Sequence, residues 1–597
     1  MPHLHVFAAV AGLIALSFAP AATGHGGQYQ RPRVPLGPVT GVDPSDAAKW
    51  TGPAFPTTIP SRSTRRAAAE TEGTGWRLWW RANAPTLLQK RFGVDAEGSS
   101  TLRGRARDAA TDWPPVRDAL DRALLDPQID VVDSAILAWG RCSSPESADV
   151  AFKKVWPYVG HPVESIRRSA VISLGLTGSD RAIPVLVSLL SQTSKTDPIT
   201  NGIAAISLGY LSAGAAIPAL TRTVEENPAV ETAASAVVGL GLYRSHRREI
   251  VPFLVDKLSD VKLPREVRAQ VPIALARLGD ASSPAIPALV EQLRLTTEPA
   301  FRRSLAIALG QLASPEDVDV VRRLEHVADR IRDGHSRGLA LLALAQIATR
   351  ADGVTLTGDA TVMARAHVMR RLTSPLHRAD IGYSCLAAAL AFQPVATDDK
   401  ERVTVVERVG RHFRDRRTDA VTTAARGAAA IALALLGQHE LAPEIRARAE
   451  TAEDAKLKGD LITALGLLRD RGSLTMLRSV IEKDVDPATR ERAIEAAGLI
   501  SREIATSLLV RLADRTLRPS DRLLATQGLA RIGGRAALPH LVRLANDVES
   551  EALPRAFAVV ALGRMLERTR PPWNERLAAN GNFAVDVRAI RELLDLF

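Results

Sequence analysis

The apolar residues of this chain recur at helical spacing along most of its 597 residues. Between residues 130 and 570 they fall at positions i, i+3, i+4 and i+7, which places them on one face of an α-helix. Two examples are Ile183, Leu186, Val187, Leu190 and Ile286, Leu289, Val290, Leu293. No segment alternates between apolar and polar residues over the length that a sheet needs. The pattern therefore predicts an all-α protein built of short helices.

Pairs of such helices return along the chain at a nearly fixed period. A small residue near the end of each second helix marks thirteen units: Gly140, Gly175, Gly209, Gly241, Ala276, Gly310, Ala345, Ala391, Ala434, Gly466, Gly498, Ala530 and Gly563. These markers lie 32 to 46 residues apart, a period typical of stacked helix pairs. They predict a right-handed α-α superhelix of about 13 helix pairs over residues 131–570, with irregular units near 345–434.

Stacking of the units also predicts an overall shape. At about 8 to 10 Å per unit, the stack makes an open, curved rod on the order of 100 Å long, with a concave surface formed by the second helices. Long inserts around residues 350–375 and 395–415 interrupt the period, and insertions in solenoids usually form loops. We therefore expect loops at these two places.

A basic residue recurs eight positions before the marker in nine of the units. These ladder residues are Arg167, Arg268, Arg302, Arg337, Arg426, Lys458, Arg490, Arg522 and Arg555. Stacked guanidinium groups could bind a carboxylate or phosphate polymer. Acidic residues that precede the second helices could instead pair with them, as Asp486 could with Arg490. The internal, structural role is the favoured interpretation. A second basic cluster, Arg408, Arg411, Arg414, Arg416 and Arg417, is interpreted as a solvated helix face.

The two ends of the chain differ from the repeats. Residues 1–24 have the apolar run and the small residues of a signal peptide, and residues 25–75 form a proline-rich linker that favours extended backbone. Trp76, Trp79 and Trp80 lie on one helical face and predict a helical cap over residues 76–130 that covers the open end of the stack. A capping helix is expected at residues 571–597.

Composition adds little about chemistry. The formal net charge is +11, from 77 basic and 66 acidic residues, which favours anionic partners without specifying one. A role in nucleic-acid binding is disfavoured. The two cysteines, Cys142 and Cys385, fall in the first and eighth units, too far apart for a disulfide in a stack, and are expected to be buried thiols.

No motif predicts catalysis. Residues 334–338 match Gly-x-Ser-x-Gly, but the flanking sequence is helical, so Gly334 is interpreted as a helix stop and Ser336 as an N-cap. Among the His residues, only His439 is followed by Glu, whereas a di-iron site needs several such pairs. The sequence contains no Cys-x-x-Cys, His-Glu-x-x-His or phosphate-binding loop. Neither a metal nor another cofactor is expected.

The repeats resemble the short bacterial HEAT-like repeats, similar to those of phycobilin lyases, over residues 131–570. The acid that precedes a second helix and the Arg that follows it resemble the Asp and Arg with which HEAT families join neighbouring repeats. The leader, the Gly-His-Gly-Gly stretch at Gly24–Gly27 and the Trp segment are similar to exported HEAT proteins of planctomycete-type bacteria. The resemblance implies a HEAT/ARM-type solenoid.

The expected function is that of an extracytoplasmic scaffold that binds unidentified protein partners and catalyses nothing. Its location would be periplasmic or extracellular, with a membrane tether if the leader is not cleaved; no other transmembrane segment is predicted. Two alternatives remain open. One is a groove for an acidic polymer or another anionic ligand, and the other is a lyase-like enzyme that handles a cofactor.

Overall fold

The computed structural model describes residues 75–87, 102–191, 197–279, 284–350, 358–515, 519–532, 535–567, 573–583, 585 and 587–595. The predicted signal peptide and nearly all of the predicted linker lie outside these residues, so both stay predictions. In the part described, no helix is both long and apolar enough to cross a membrane.

The described residues form thirteen helix pairs, preceded by helix α1 (75–87). The pairs, with the outer helix named first, are α2 and α3 (Leu102–Ala123, Ile129–Cys142), α4 and α5 (Ala148–Val155, Glu164–Thr177), α6 and α7 (Ala182–Ser191, Pro198–Leu211), α8 and α9 (Ile217–Glu226, Val230–Leu240), α10 and α11 (Arg247–Ser259, Arg265–Leu278), α12 and α13 (Ala285–Leu295, Pro299–Leu312), α14 and α15 (Val318–Arg330, Gly334–Ala348), α16 and α17 (Asp359–Thr373, Ile381–Phe392), α18 and α19 (Lys400–Arg414, Ala420–Leu435), α20 and α21 (Ala442–Thr451, Ala455–Leu467), α22 and α23 (Leu474–Lys483, Pro487–Ile500), α24 and α25 (Arg502–Arg515, Pro519–Ile532), and α26 and α27 (Leu538–Asn546, Ala552–Met565). Helices α28 (Trp573–Ala578) and α29 (Arg588–Asp595) follow.

These helices confirm the α-α superhelix, and they change two details of the prediction. Helix α2, which was expected to belong to the cap, is the outer helix of the first unit and packs on α3. The expected loops around residues 350–375 and 395–415 are wrong at residues 359–373 and 400–414, which form the outer helices α16 and α18. Both of these outer helices are 15 residues long.

The small marker residues set the distance between neighbouring inner helices. A Cβ atom at Gly175 would lie 2.6 Å from Cα of Ser207, and one at Gly310 would lie 2.7 Å from Cα of Ala343. Both distances are too short for real atoms, so the inner helices approach closely only because these positions carry no side chain. In each case the facing residue stands two positions before the next marker, Gly209 or Ala345.

The last unit packs on the first unit in this same register. A Cβ atom at Gly563 of α27 would lie 2.7 Å from Cα of Ala138, two positions before the marker Gly140 of α3. The thiol of Cys142 lies 3.6 Å from the carbonyl oxygen of Gly563, and the outer helix α26 likewise packs on α2. The thirteen described units therefore form a closed ring.

Ring closure shows that the expected open rod is wrong. Each interface turns the chain by about 28°, since thirteen equal steps complete a circle. The sequence repeats predict the interfaces but not this angle. The inner helices surround a central channel. We call the face of the ring where the inner helices begin the N face, and the face where they end the C face.

Candidate functional site: the central channel

Helix α1 lies inside the central channel and runs from the N face towards the C face. Trp76 packs against Gly382, where a Cβ atom would lie 2.6 Å from Cδ1 of the indole. Two turns further on, Asn83 accepts a hydrogen bond of 3.0 Å from the backbone N–H of Asn580, which belongs to the C-terminal segment. The two ends of the described chain thus meet within the ring.

The three tryptophans of α1 are buried in this channel. Trp76 is 0% exposed, and Trp79 and Trp80 are each 4% exposed. They were expected to cover an open end of the stack. A closed ring has no such end, and the indoles cover the inner helices instead, which buries a large apolar area.

The C-terminal segment fills the remaining side of the channel. Its residues bond to five successive inner helices: Glu592 to Arg168 of α5 (2.9 Å), Trp573 to Tyr210 of α7, Ala589 to Glu231 of α9 (2.6 Å), Leu577 to Arg277 of α11 (2.5 Å), and Asn582 to Ser304 of α13 (2.8 Å). The expected capping helix at residues 571–597 is thus found as two short helices, α28 and α29, inside the ring.

A buried group of charges joins α1 to α21 and α23. Nη2 of Arg77 lies 2.6 Å from Oδ2 of Asp460, and Nη1 of Arg492 lies 2.9 Å from Oε2 of Glu495. Burial raises the pKa of Asp460 although Arg77 acts against it. Burial would also raise the pKa of Glu495, but Arg492 and Arg531 outweigh it and hold that pKa below its ordinary value. These contacts fix α1 in place.

Five ladder residues pair with an acid at the start of the next inner helix. The pairs are Arg268 with Glu298 (2.7 Å), Arg337 with Asp380 (2.7 Å), Lys458 with Asp484 (2.6 Å), Arg490 with Asp521 (2.9 Å) and Arg555 with Asp126. The last pair joins the thirteenth unit to the first. The expected pairing of Asp486 with Arg490 is wrong, because Asp486 instead caps α23 by accepting the N–H of Thr489.

Three other ladder residues bond to backbone near their own helix. Arg167 donates to the carbonyl of His161 (2.9 Å), Arg302 to that of Thr296 (3.0 Å), and Arg426 to that of Asp415 (3.0 Å). The ninth, Arg522, lines a shallow pocket that it shares with His540. The ladder residues thus form separate contacts within and between units rather than one continuous basic surface.

The Gly-x-Ser-x-Gly match lies at the start of α15, and its expected caps are wrong. Asp333 is the N-cap, with its carboxylate accepting the N–H of Ser336 at 2.9 Å, and Gly334 begins the helix. Hydrogen bonds from Arg303 and Ser336 outweigh the effect of burial and lower the pKa of Asp333 to about 2. Ser336 is fully buried.

The other residues that the sequence singled out as candidate binding or metal-ligating groups lie apart from the channel. In the second basic cluster, Arg414 pairs with Glu444 (3.0 Å) and Arg417 pairs with Asp415, while Arg416 is exposed. His439 and Glu440 stand in a one-turn helix at the C face. Among the described residues, no group of three or more His, Cys, Asp or Glu side chains is arranged to hold a metal ion. Cys142 and Cys385 are separate, buried thiols.

The sequence comparison identifies the repeat. Residues 166–192, which span most of α5 and all of α6, match the family described as PBS lyase HEAT-like repeat. This part of the chain is a HEAT-like repeat. The matched segment carries the marker Gly175 and the ladder residue Arg167, and the other twelve HEAT-like units carry a marker at the same place. No curated protein matches the chain.

Several solved structures are similar to this HEAT-like ring. Human deoxyhypusine hydroxylase in complex with glycerol is 19% identical, with 48% of this chain and 98% of that chain covered and a TM-score of 0.22. The Kap95:Nup1 complex is 12% identical, with 85% and 78% covered and a TM-score of 0.36. A Kap121p mutant is 13% identical, with 79% and 60% covered and a TM-score of 0.35.

Proposed function

We propose that this HEAT-like ring is an exported binding scaffold without catalysis of its own, and that its protein partners dock on its exterior. The observation that carries the proposal is the filled channel. Helices α1, α28 and α29 bond to the inner helices, which would form the concave binding surface of an open solenoid. Partners are therefore left with the outer helices and the two faces.

Two further observations favour binding over chemistry. The thiol of Cys385 is enclosed, and burial raises its pKa to about 12, so that it stays protonated and a poor nucleophile. Eight of the nine ladder residues bond to neighbouring helices or turns, so these side chains are engaged within the ring.

The test is purification of the tagged protein from its own organism after treatment with a lysine-reactive cross-linker, at low and at moderate salt and with nuclease. Exposed lysines are distributed over the outer helices, the turns and the start of the inner helix α21; they include Lys153, Lys262, Lys400, Lys456 and Lys483. We expect a protein partner, retained at moderate salt, with cross-links to these positions. A salt-labile acidic polymer would instead support the anionic-groove alternative, and co-purifying pigment or metal would support the cofactor-handling alternative.

Export rests on the leader sequence alone and has its own test. Intact-mass measurement and N-terminal sequencing of protein recovered from cell fractions should give a chain that begins near His25, outside the cytoplasm. A cytoplasmic chain that retains Met1 would contradict export while leaving the scaffold function open.

A further inference from the structure

The N face of the ring exposes apolar side chains at the tips of its turns. Val261 and Leu376 stand between the outer and inner helices of the fifth and eighth units, and Leu295 ends the outer helix of the sixth; they are 82%, 51% and 55% exposed. Single exposed apolar residues are ordinary. Turns of other units on this face also expose apolar residues, such as Leu125, Val485 and Val548, so apolar exposure alone does not distinguish this sector.

Exposed basic residues surround these tips. The turns of the fifth to ninth units, which we call the basic sector, carry Lys262, Arg265, Arg294, Arg330, Arg332, His377, Arg378, Arg416 and Arg417. Some pair with acids, as Arg378 does with Asp419 at 2.8 Å. In contrast, the side chains of Lys262, Arg330, Arg332 and Arg416 form no ion pair with any described residue. Their charge is therefore available to an external anion.

A groove of about 710 Å³ opens between the seventh and eighth turns of this sector. Its wall carries Arg330, Arg332, His377 and Arg378, together with the apolar Ile331 and Leu376. Two other lining groups are occupied: Arg337 binds Asp380, and Asp329 lies 3.2 Å from the ring of His367. The groove thus combines uncompensated positive charge with an apolar edge, at a size that admits a phosphate-containing head group.

The N-terminal part of the chain is attached at this same face. The first described residue, Gly75, stands beside His335 and Tyr383, near the starts of α15 and α17. The 74 residues before it include the apolar run Val6–Phe18. Helix α29 also lies near this face, since Ala589 and Glu592 bond to Glu231 and Arg168 near the starts of α9 and α5. The described chain therefore begins at the face that carries the basic sector.

We propose that the basic sector docks the ring, N face first, on an anionic lipid bilayer. Val261, Leu295 and Leu376 insert between the lipids, and the unpaired basic residues bind head-group phosphates. Separate apolar tips on neighbouring turns suit a fluid interface, whereas a protein interface needs one packed apolar centre. This surface lies outside the channel, and the proposal goes beyond the binding of protein partners.

The test is co-sedimentation of the chain from His25 onward with two kinds of vesicle, neutral phosphatidylcholine and a mixture with 30% phosphatidylglycerol. Removal of the predicted leader leaves every described residue in place. We expect binding to the anionic vesicles only, weakened by 0.5 M NaCl. The triple variant R330Q/R332Q/R416Q should bind on the order of 100-fold more weakly, since each charge near the surface contributes about fivefold.

The matched control removes three basic residues at the opposite face. Arg248, Arg471 and Arg502 lie near the C face, and the variant R248Q/R471Q/R502Q has the same net charge as the test variant. It should bind like the wild type. Equal loss in both variants would mean that only net charge matters and would overturn the proposal. Absence of vesicle binding would overturn it as well, and would leave the sector as a surface for an acidic protein.

Insertion of the tips has a separate readout. The variant L376C, labelled with an environment-sensitive fluorophore, should shift to shorter wavelength on anionic vesicles, and the buried Cys142 and Cys385 should not compete for the label. The variant V150C, labelled on the outer helix α4, should not shift. A shift at both positions, or at neither, would contradict docking by the N face.

Discussion

Small residues at one position of each inner helix decide how closely neighbouring units approach. The marker glycines were visible in the sequence as a period, and the structure gives the period a cause: main chain faces main chain at these points. A glycine on an outer helix can lack this role. Gly410 of α18 is an example, since a Cβ atom there would meet only the end of the Arg414 side chain, at 3.5 Å.

This difference predicts opposite effects of one substitution. Gly310→Ala should lower the free energy of unfolding by about 1 to 3 kcal/mol, because the new methyl group overlaps Ala343. Gly410→Ala should raise it by up to about 1 kcal/mol, because alanine favours the helix. Denaturant titration of both variants measures the two changes. Destabilisation by both substitutions, to a similar degree, would contradict the role given to the markers.

A buried histidine predicts a dependence of stability on pH. His367 of α16 is enclosed between Glu325 and Asp329 of α14, with Arg370 and Arg371 nearby. Burial is the main cause that lowers its pKa to about 4. Below its ordinary pKa of about 6.5 the unfolded chain therefore binds a proton that the folded chain does not.

We expect the free energy of unfolding to fall as the pH drops from about 6.5 to 4, with His367 contributing at most ~3 kcal/mol. His367→Gln should flatten this part of the curve. His326→Gln, which changes an exposed histidine of α14, should leave it unchanged. The measurement is denaturant titration at closely spaced pH values, and an unaltered slope in His367→Gln would refute the assignment.

Helix α1 is the element that turns a ring with a channel into a filled ring. Its place depends on Gly382, which leaves room for Trp76, and on the ion pair of Arg77 with Asp460. Neither contact is made between neighbouring repeats. Both join the start of the described chain to units near the opposite side of the ring.

The element can be displaced without disturbing the repeats. Gly382→Val should push Trp76 out of its site, release α1 and expose the peptide bonds after Arg77 and Arg81 to trypsin. Gly410→Val, placed on an outer helix with space around it, should leave both bonds protected. Mass spectrometry of timed digests distinguishes the two outcomes. Protection of α1 in Gly382→Val would show that the helix is held by other contacts.

The helix pairs could be predicted from sequence, whereas their closure and filling could not. Helical spacing shows which face of α6 or α12 is apolar, and the markers show where units touch. The spacing does not reveal which element packs on a helix when that element is distant in sequence. Helix α1 is an example, because Arg77 pairs with Asp460. Ring closure depends on a small angle that accumulates over all units. One signal was present: Asp126 precedes the first inner helix as other pairing acids do, yet an open rod gives it no basic partner.

The whole molecule is held closed by the interface between its first and last units. Arg555 and Asp126 pair there with side chains that are each 6% exposed. The two residues lie 429 positions apart in the sequence, so their contact exists only if the ring is closed. In an open rod, both would face solvent at opposite ends.

A double-mutant cycle tests the closed ring. Arg555→Gln should cost about 3 to 5 kcal/mol of unfolding free energy, because it leaves a buried carboxylate unpaired. Asp126→Asn should cost a similar amount, and the double variant should cost less than the sum by up to about 3 kcal/mol. Arg268→Gln with Glu298→Gln, the corresponding pair inside the ring, serves as the reference. Strict additivity at residues 126 and 555 would indicate an open chain.

The closed seam between Gly563 and Ala138 also constrains how the gene can change. An open solenoid lengthens or shortens by whole repeats, since its last unit needs no successor. In this chain, duplication of a 34-residue segment would add a fourteenth unit, so each of the other interfaces would have to turn the chain through a smaller angle. The surfaces around the channel would then no longer fit α1 and α29. During evolution, the number of units should therefore be conserved more strictly than the identity of the residues on the outer surface of each unit.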